Sequence, residues 1–157
     1  MWEQTLLQRT RDDGDFQLAS GIKTSVRFDC ARLTPKDFEL LAAQWLHWYY
    51  RERYQPVDLF VAVANGGIPF GLELARQSNN LYGQFNKDGS LRGQVVNGFT
   101  CIVVEDVVTT GLTTQKVIDV LRHAGVKVEG VASLIWRRDI VAKPPFTLWP
   151  LATYYGD

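Results

Sequence analysis

The chain has 157 residues, with 17 Lys and Arg against 17 Asp and Glu. That length fits one domain, and the charge balance leaves no overall basic field for nucleic acid. Apolar residues make up 46% and there are two cysteines, Cys30 and Cys101, which excludes general disorder, a disulfide framework and a Cys-rich zinc site, and makes both thiols buried and free. The start lacks the basic-then-apolar pattern of a signal peptide, and no run of about 18 apolar residues exists for a membrane span, so a cytoplasmic protein with no membrane contact is expected.

In chain order, the first residues suggest a short helix around Leu6 and Leu7, then a turn at Asp12-Asp13-Gly14-Asp15. Residues 22–33 alternate in a β-like way. Thr34-Pro35-Lys36-Asp37 is a helix start: Thr34 caps the free N–H groups, Pro35 fits the first turn and Asp37 favours the positive helix end. Phe38, Leu41, Ala42, Trp45, Leu46, Trp48 and Tyr49 follow at helical spacing, a wide aromatic stripe suited to the core and, in part, to a second subunit. Residues 58–64 form an apolar run without alternation, as a strand buried on both faces does. Asn65-Gly66-Gly67 makes a loop, and Pro69 opens a helix to about Asn79. Residues 81–98 suggest one or two short strands around a mobile loop. Residues 100–104 are a second buried strand ended by Glu105-Asp106; a Thr/Gly loop leads to a helix with Val117, Ile118, Leu121 and Ala124 on one stripe and Gly125 at its stop. Residues 128–136 are a third strand, and the tail, with Pro144, Pro145 and Pro150, is extended. Strand, helix and strand joined by short loops call for an α/β fold with a parallel sheet.

The chemistry concentrates in residues 102–114. A buried strand carries Glu105 and Asp106 to its C-terminal end, where open α/β sheets bind ligands. Thr109-Thr110-Gly111-Leu112-Thr113-Thr114 then enters a helix. Gly111 permits a backbone that a β-carbon would block. The N–H groups at the helix start favour an anion, and several hydroxyls can donate to the same phosphate oxygens. The two carboxylates beside it accept bonds from neutral hydroxyls. A phosphate on one side and a diol on the other describe a ribose 5-phosphate. A Walker A loop is excluded, because no Gly-Lys-Ser/Thr follows a Gly-rich loop.

These residues resemble the phosphoribosyl-pyrophosphate (PRPP) motif of type I phosphoribosyltransferases. Ser20-Gly21-Ile22-Lys23 to Phe28, and residues 61–69 with Asn65, Gly66, Gly67 and Pro69, are similar to segments of the orotate phosphoribosyltransferase branch, in family order. The resemblance implies a central, mostly parallel sheet flanked by helices, in one domain spanning 1–157, with a small hood from about 1–33 and 136–157. It implies that Glu105 and Asp106 hold the ribose hydroxyls and take part in catalysis. Thr109, Thr110, Gly111, Leu112, Thr113 and Thr114 would then cradle the 5-phosphate, while Asn65, Gly66 and Gly67 wrap the pyrophosphate. Lys23 would reach the pyrophosphate or the base, Phe28 would stack on the base, and Arg137 would meet an orotate carboxylate, with Arg138 one position away. Mg²⁺ would be held by PRPP and water, with Asp106 as the one protein candidate, and the chain would work as a homodimer.

One region departs from the family pattern. Where orotate phosphoribosyltransferases carry a Lys-rich mobile loop ending in His-Gly, residues 81–93 hold Lys87 and Arg92 and no His. Lys87 is the catalytic candidate there, and the segment reads equally as a tight Gly-turn hairpin. His47 and His123 fall on helix surfaces. Transfer of a phosphoribosyl group from PRPP to orotate is the leading expectation. Transfer to another nucleobase, or PRPP binding without catalysis by a regulator, are the alternatives.

Overall fold

The computed structural model describes residues 2–53 and 55–157. Helix α1 (Trp2–Thr10) leads into β1 (Arg11–Gln17) and β2 (Lys23–Phe28), which pair antiparallel as a separate two-stranded sheet. The turn expected at residues 12–15 is therefore corrected to strand. Charge pairing explains it: Arg27 of β2 and Arg32 both pair with Asp12, and Arg11 pairs with Asp13 and Asp157. The awkward Gly14 is absorbed by a register shift between Asp13 and Phe16.

A short 3₁₀ turn (Cys30–Arg32) precedes α2 (Pro35–Glu52). The start of α2 is a full capping box. Thr34 Oγ1 accepts from the Asp37 N–H at 3.1 Å, and the Asp37 carboxylate accepts from the Thr34 N–H at 2.7 Å. Arg9 then clamps both Asp37 oxygens, each at 2.7 Å, and ties α1 to α2. Of the aromatic stripe, Phe38, Ala42, Trp45, Leu46 and Tyr49 are buried and Leu41 and Trp48 half-buried. Trp45 stacks on Tyr49 at 5.0 Å and donates from Nε1 to the Trp149 carbonyl at 3.0 Å.

The main sheet has six strands in the order β5-β4-β3-β6-β7-β8. They are β3 (Leu59–Val63), β4 (Leu81–Phe85), β5 (Leu91–Gly93), β6 (Thr100–Val108), β7 (Lys127–Arg137) and β8 (Leu148–Tyr154). All neighbours run parallel except β4 and β5. Helix α3 (Ile68–Ser78) joins β3 to β4, and α4 (Leu112–His123) joins β6 to β7. One core lies between the sheet, α2 and α3, around Trp45, Phe60, Phe70 and Ile102. A second lies between the sheet and α4, around Val61, Val103, Ile118 and Leu121. The fully buried runs of β3 and β6 follow, since each must be apolar on both faces. Ala124 is exposed as the last capping position of α4 rather than part of its buried stripe, and Gly125 with φ of 80° makes the stop.

From β3 the chain passes through α3 to one side of the sheet, and from the adjacent β6 through α4 to the other. The C-terminal ends of β3 and β6 are thus a topological switch point, where a crevice opens between diverging loops. The strand also runs further than expected: β6 continues past Glu105-Asp106 to Val108, held by β7 pairs Glu105↔Ser133 and Val108↔Trp136.

Candidate active site

Two loops leave the switch point side by side, residues 64–67 after β3 and 109–111 after β6. They enclose a cavity of about 210 Å³ whose walls include Gly66, Glu105, Asp106, Thr109, Thr110, Gly111, Thr113 and Thr114. A second hollow of about 620 Å³, on the side of α2 and α3, shares Gly66 and Asp106 with it. A larger groove of about 940 Å³ lies between α1 and α2, away from this edge of the sheet and from the acidic pair.

Backbone shape builds the cavity. Gly111 caps α4 at φ of 83°, a left-handed conformation that glycine adopts without penalty. Phe146 packs 3.1 Å from where its Cβ would stand, so the space behind is closed too. The first bond of the new helix runs from the Gln115 N–H to the Gly111 carbonyl at 2.9 Å. The N–H groups before it point out of the helix end, carrying its positive dipole. Thr110 Oγ1 accepts from the Leu112 N–H at 3.3 Å. Leu112 itself is 70% exposed, so its contribution to the loop is its main chain.

The acidic pair is asymmetric. Glu105 is buried and accepts from the Thr114 hydroxyl at 3.3 Å. Burial, and then the neighbouring Asp106 carboxylate, push the Glu105 carboxyl well above its ordinary range. A neutral Glu105 can donate as well as accept. Asp106 is half-buried and accepts from the Val107 N–H at 2.8 Å. The loop after β3 lies directly upon it: a Cβ on Gly66 would overlap the Asp106 carboxylate, and one on Gly67 would overlap the Val104 and Val63 carbonyls. Only glycine allows that approach. The cavity therefore offers carboxyl oxygens at one end, and hydroxyls with helix-start N–H groups at the other.

A phosphoribosyltransferase domain model matches residues 32–145. The chain belongs to the phosphoribosyltransferase family. It is 34% identical over 134 residues to an orotate phosphoribosyltransferase of Carboxydothermus hydrogenoformans, covering 80% of this chain and 69% of that one. A transcriptional regulator of Methanosarcina barkeri is 36% identical over 107 residues, covering 57% of this chain and 51% of its own. Among solved structures, the orotate phosphoribosyltransferase of Aeropyrum pernix superposes with a TM-score of 0.80 at 28% identity, over 98% of this chain and 94% of that one. The architecture is the type I phosphoribosyltransferase fold, with its mostly parallel sheet flanked by helices.

Within that family frame, the residues predicted for the acceptor side are less uniformly placed. Lys23 is exposed at the start of β2, on a separate open hollow with Phe16, Gln17 and Thr24. Phe28 is buried, edge-on to Tyr154 at 5.1 Å, so its ring is core and not a free stacking face. Arg137 is 2% exposed, and its guanidinium is already committed. It donates to both Asp139 oxygens at 2.9 and 2.8 Å, to the Val26 carbonyl at 2.9 Å and to Thr24 Oγ1 at 3.1 Å. The expected ligand-facing Arg137 is thus held by protein partners, which offset the desolvation of a buried guanidinium. Arg138 next to it is exposed, stacked against Trp136 at 5.5 Å and Tyr155 at 5.2 Å. It lies in the turn just after β7, beyond the strand's buried end.

Residues 81–93 form the β4–β5 hairpin, with Lys87 exposed in its turn. The turn is bonded within itself: Asn86 N–H to the Ser90 carbonyl at 2.9 Å, and Ser90 N–H to the Asp88 carboxylate at 2.9 Å. Phe85 precedes it beside Val63, so the turn leaves the sheet at the edge where the cavity lies.

Proposed function

We propose that this chain transfers the 5-phosphoribosyl group of PRPP to orotate, giving orotidine 5′-phosphate and pyrophosphate. The observation that carries the reading is the single cavity in which the Glu105–Asp106 pair faces the hydroxyl-lined start of α4; the likeness to orotate phosphoribosyltransferases supports the acceptor. Glu105 and Asp106 hold the ribose hydroxyls. Thr109, Thr110, Gly111, Thr113 and Thr114, with the Leu112 main chain, receive the 5-phosphate. Asn65, Gly66 and Gly67 meet the pyrophosphate through their backbone. Lys23 and Lys87 supply positive charge toward pyrophosphate or base, and Arg138, rather than the buried Arg137, meets the acceptor carboxylate. Residues 1–157 act as one unit, with segments 1–33 and 136–157 as its hood, and two copies associate through the exposed faces of α1 and α2.

In the reaction, the bond from ribose C1 to the pyrophosphate oxygen breaks and its electron pair leaves with pyrophosphate. A ring nitrogen of orotate, its N–H proton released to solvent, forms the new bond to C1 with the freed electron pair. The Asp106 charge lies where positive charge builds on the sugar, as in other oxocarbenium-like displacements. Among the described residues, no three His, Cys, Asp or Glu side chains gather as a metal cage. The acid at this cavity instead fits a Mg²⁺ held mainly by diphosphate and water, with Asp106 as the protein's contribution. Such an ion supplies charge neutralisation of the leaving pyrophosphate.

The test is pyrophosphate release from PRPP and Mg²⁺ with single bases. Release with orotate and not with uracil, adenine or hypoxanthine is the expected result. Release with another base alone reassigns the acceptor, and PRPP binding with no release makes the chain a binder, as the similarity to a transcriptional regulator would then suggest.

A further inference from the structure

The two-stranded sheet of β1 and β2 shares no strand ladder with the six-stranded sheet. Arg137 bridges them from the last position of β7. Its Nη1 donates to the Val26 carbonyl and its Nη2 to Thr24 Oγ1, while Nε and Nη2 hold Asp139. Thr24 is prepared for this. Its hydroxyl also donates to the Val26 carbonyl at 3.0 Å and accepts from the Val26 N–H at 3.2 Å, so a single guanidinium grips a locally closed loop of bonds. The rings of Phe28 and Tyr154 flank the guanidinium at 5.6 and 5.2 Å, with Phe28 following Val26 on β2 and Tyr154 ending β8. Three strands thus converge on one buried cation.

We propose that Arg137 is a positioning residue that pins β2 to the C-terminal end of β7, and so fixes Lys23, beside Thr24 on β2, and Arg138, in the turn just after β7, relative to each other at the acceptor side. Lys23 directly precedes the gripped Thr24, and Arg138 directly follows Arg137. A shift of β2 moves the first charge while the second stays in the turn that follows β7. A fixed fork of donors is required, because the Val26 carbonyl, Thr24 hydroxyl and Asp139 carboxylate lie in different directions and a lysine ammonium is a point charge. The acceptor half of this proposal rests on the transfer reaction above; the pinning half does not.

The experiment compares wild type with Arg137→Met, Arg137→Lys and the milder Thr24→Val, which removes one of the Arg137 bonds together with the two that the Thr24 hydroxyl makes to Val26, and suits a strand in case Arg137→Met does not fold. Amide hydrogen exchange reports the pinning without any substrate. Exchange over residues 23–28 is expected to quicken in each variant, while residues 100–114 stay as in wild type; unchanged exchange over 23–28 overturns the proposal. Steady-state kinetics report the acceptor. KM for orotate is expected to rise by about tenfold in Arg137→Met and less in Arg137→Lys and Thr24→Val, with KM for PRPP within about twofold. An equal rise in both KM values, or a loss confined to kcat, overturns the acceptor half. A wild-type chain that binds PRPP but turns over no base refutes the transfer reading and the acceptor half with it, and the exchange result still decides the pinning.

Discussion

The proposed ribose-phosphate side and the proposed acceptor side of this molecule are built in opposite ways. The first comes from one continuous stretch, β6 into α4, helped by a short loop from the adjacent strand; its donors are largely main chain, and glycine at 66, 67 and 111 makes it possible. The second is assembled from β2, the ends of β7 and β8, and the β4–β5 turn, segments far apart in the chain. Its charged groups are divided between solvent and buried pairs. A site made of backbone and local hydroxyls tolerates few changes, whereas one made of distant side chains can drift in specificity while the fold persists.

That contrast sets the order of expected effects. Gly66→Ala and Asp106→Asn strike the backbone-built side. The first forces a Cβ into the Asp106 carboxylate. The second removes charge-assisted bonds worth roughly 1.5–3 kcal/mol, so calorimetry with PRPP and Mg²⁺ is expected to show at least about tenfold weaker binding. Thr110→Val removes a hydroxyl that supports the Leu112 N–H, and PRPP affinity is expected to fall by about three- to tenfold with the melting temperature nearly unchanged. Lys87→Ala, on the exposed turn, is expected to lower kcat by only about two- to fivefold, the scale of a solvated charge. A Lys87 effect larger than that of Asp106→Asn would invert the comparison.

The acid pair gives a pH signature. The folded chain holds the Glu105 carboxyl above the ordinary value of 4.5, so it keeps a proton that the unfolded chain releases. Stability from this group is complete below that value and declines as pH rises through the folded one. Glu105→Gln stays neutral throughout. Thermal melts at pH 5 and pH 8 are expected to show little difference from wild type at the first and a higher melting temperature at the second, about 2–4 °C for each kcal/mol recovered. A variant less stable than wild type at pH 8 contradicts the buried, neutral assignment.

The legibility of each part in the sequence follows the same division. Strands β3 and β6, the α2 cap and the Gly111 helix start were readable because local composition determines them: unbroken apolar runs, a Thr-Pro-Lys-Asp start, a glycine before a helix. The acidic pair and the Thr loop share that property. The β1 strand is not readable, because its Asp and Gly content favours a turn until Arg27 on the facing strand and Arg32 beyond it pair with Asp12. The bonds of Arg137 are hidden from the sequence for a similar reason. Its partner Val26 is 111 positions away, and nothing local separates a ligand-facing arginine from one that closes a fold. Two adjacent arginines at the end of an apolar run look alike in the sequence until β2 is known to cover the last position of β7.

The central claim is that a ribose 5-phosphate docks where β6 passes into α4. A crystal structure of the chain grown with PRPP and Mg²⁺ tests it most directly. The account predicts the 5-phosphate against the main chain of residues 110–114 and the ribose hydroxyls on Glu105 and Asp106. PRPP bound at any other surface, with this cavity empty, would contradict it.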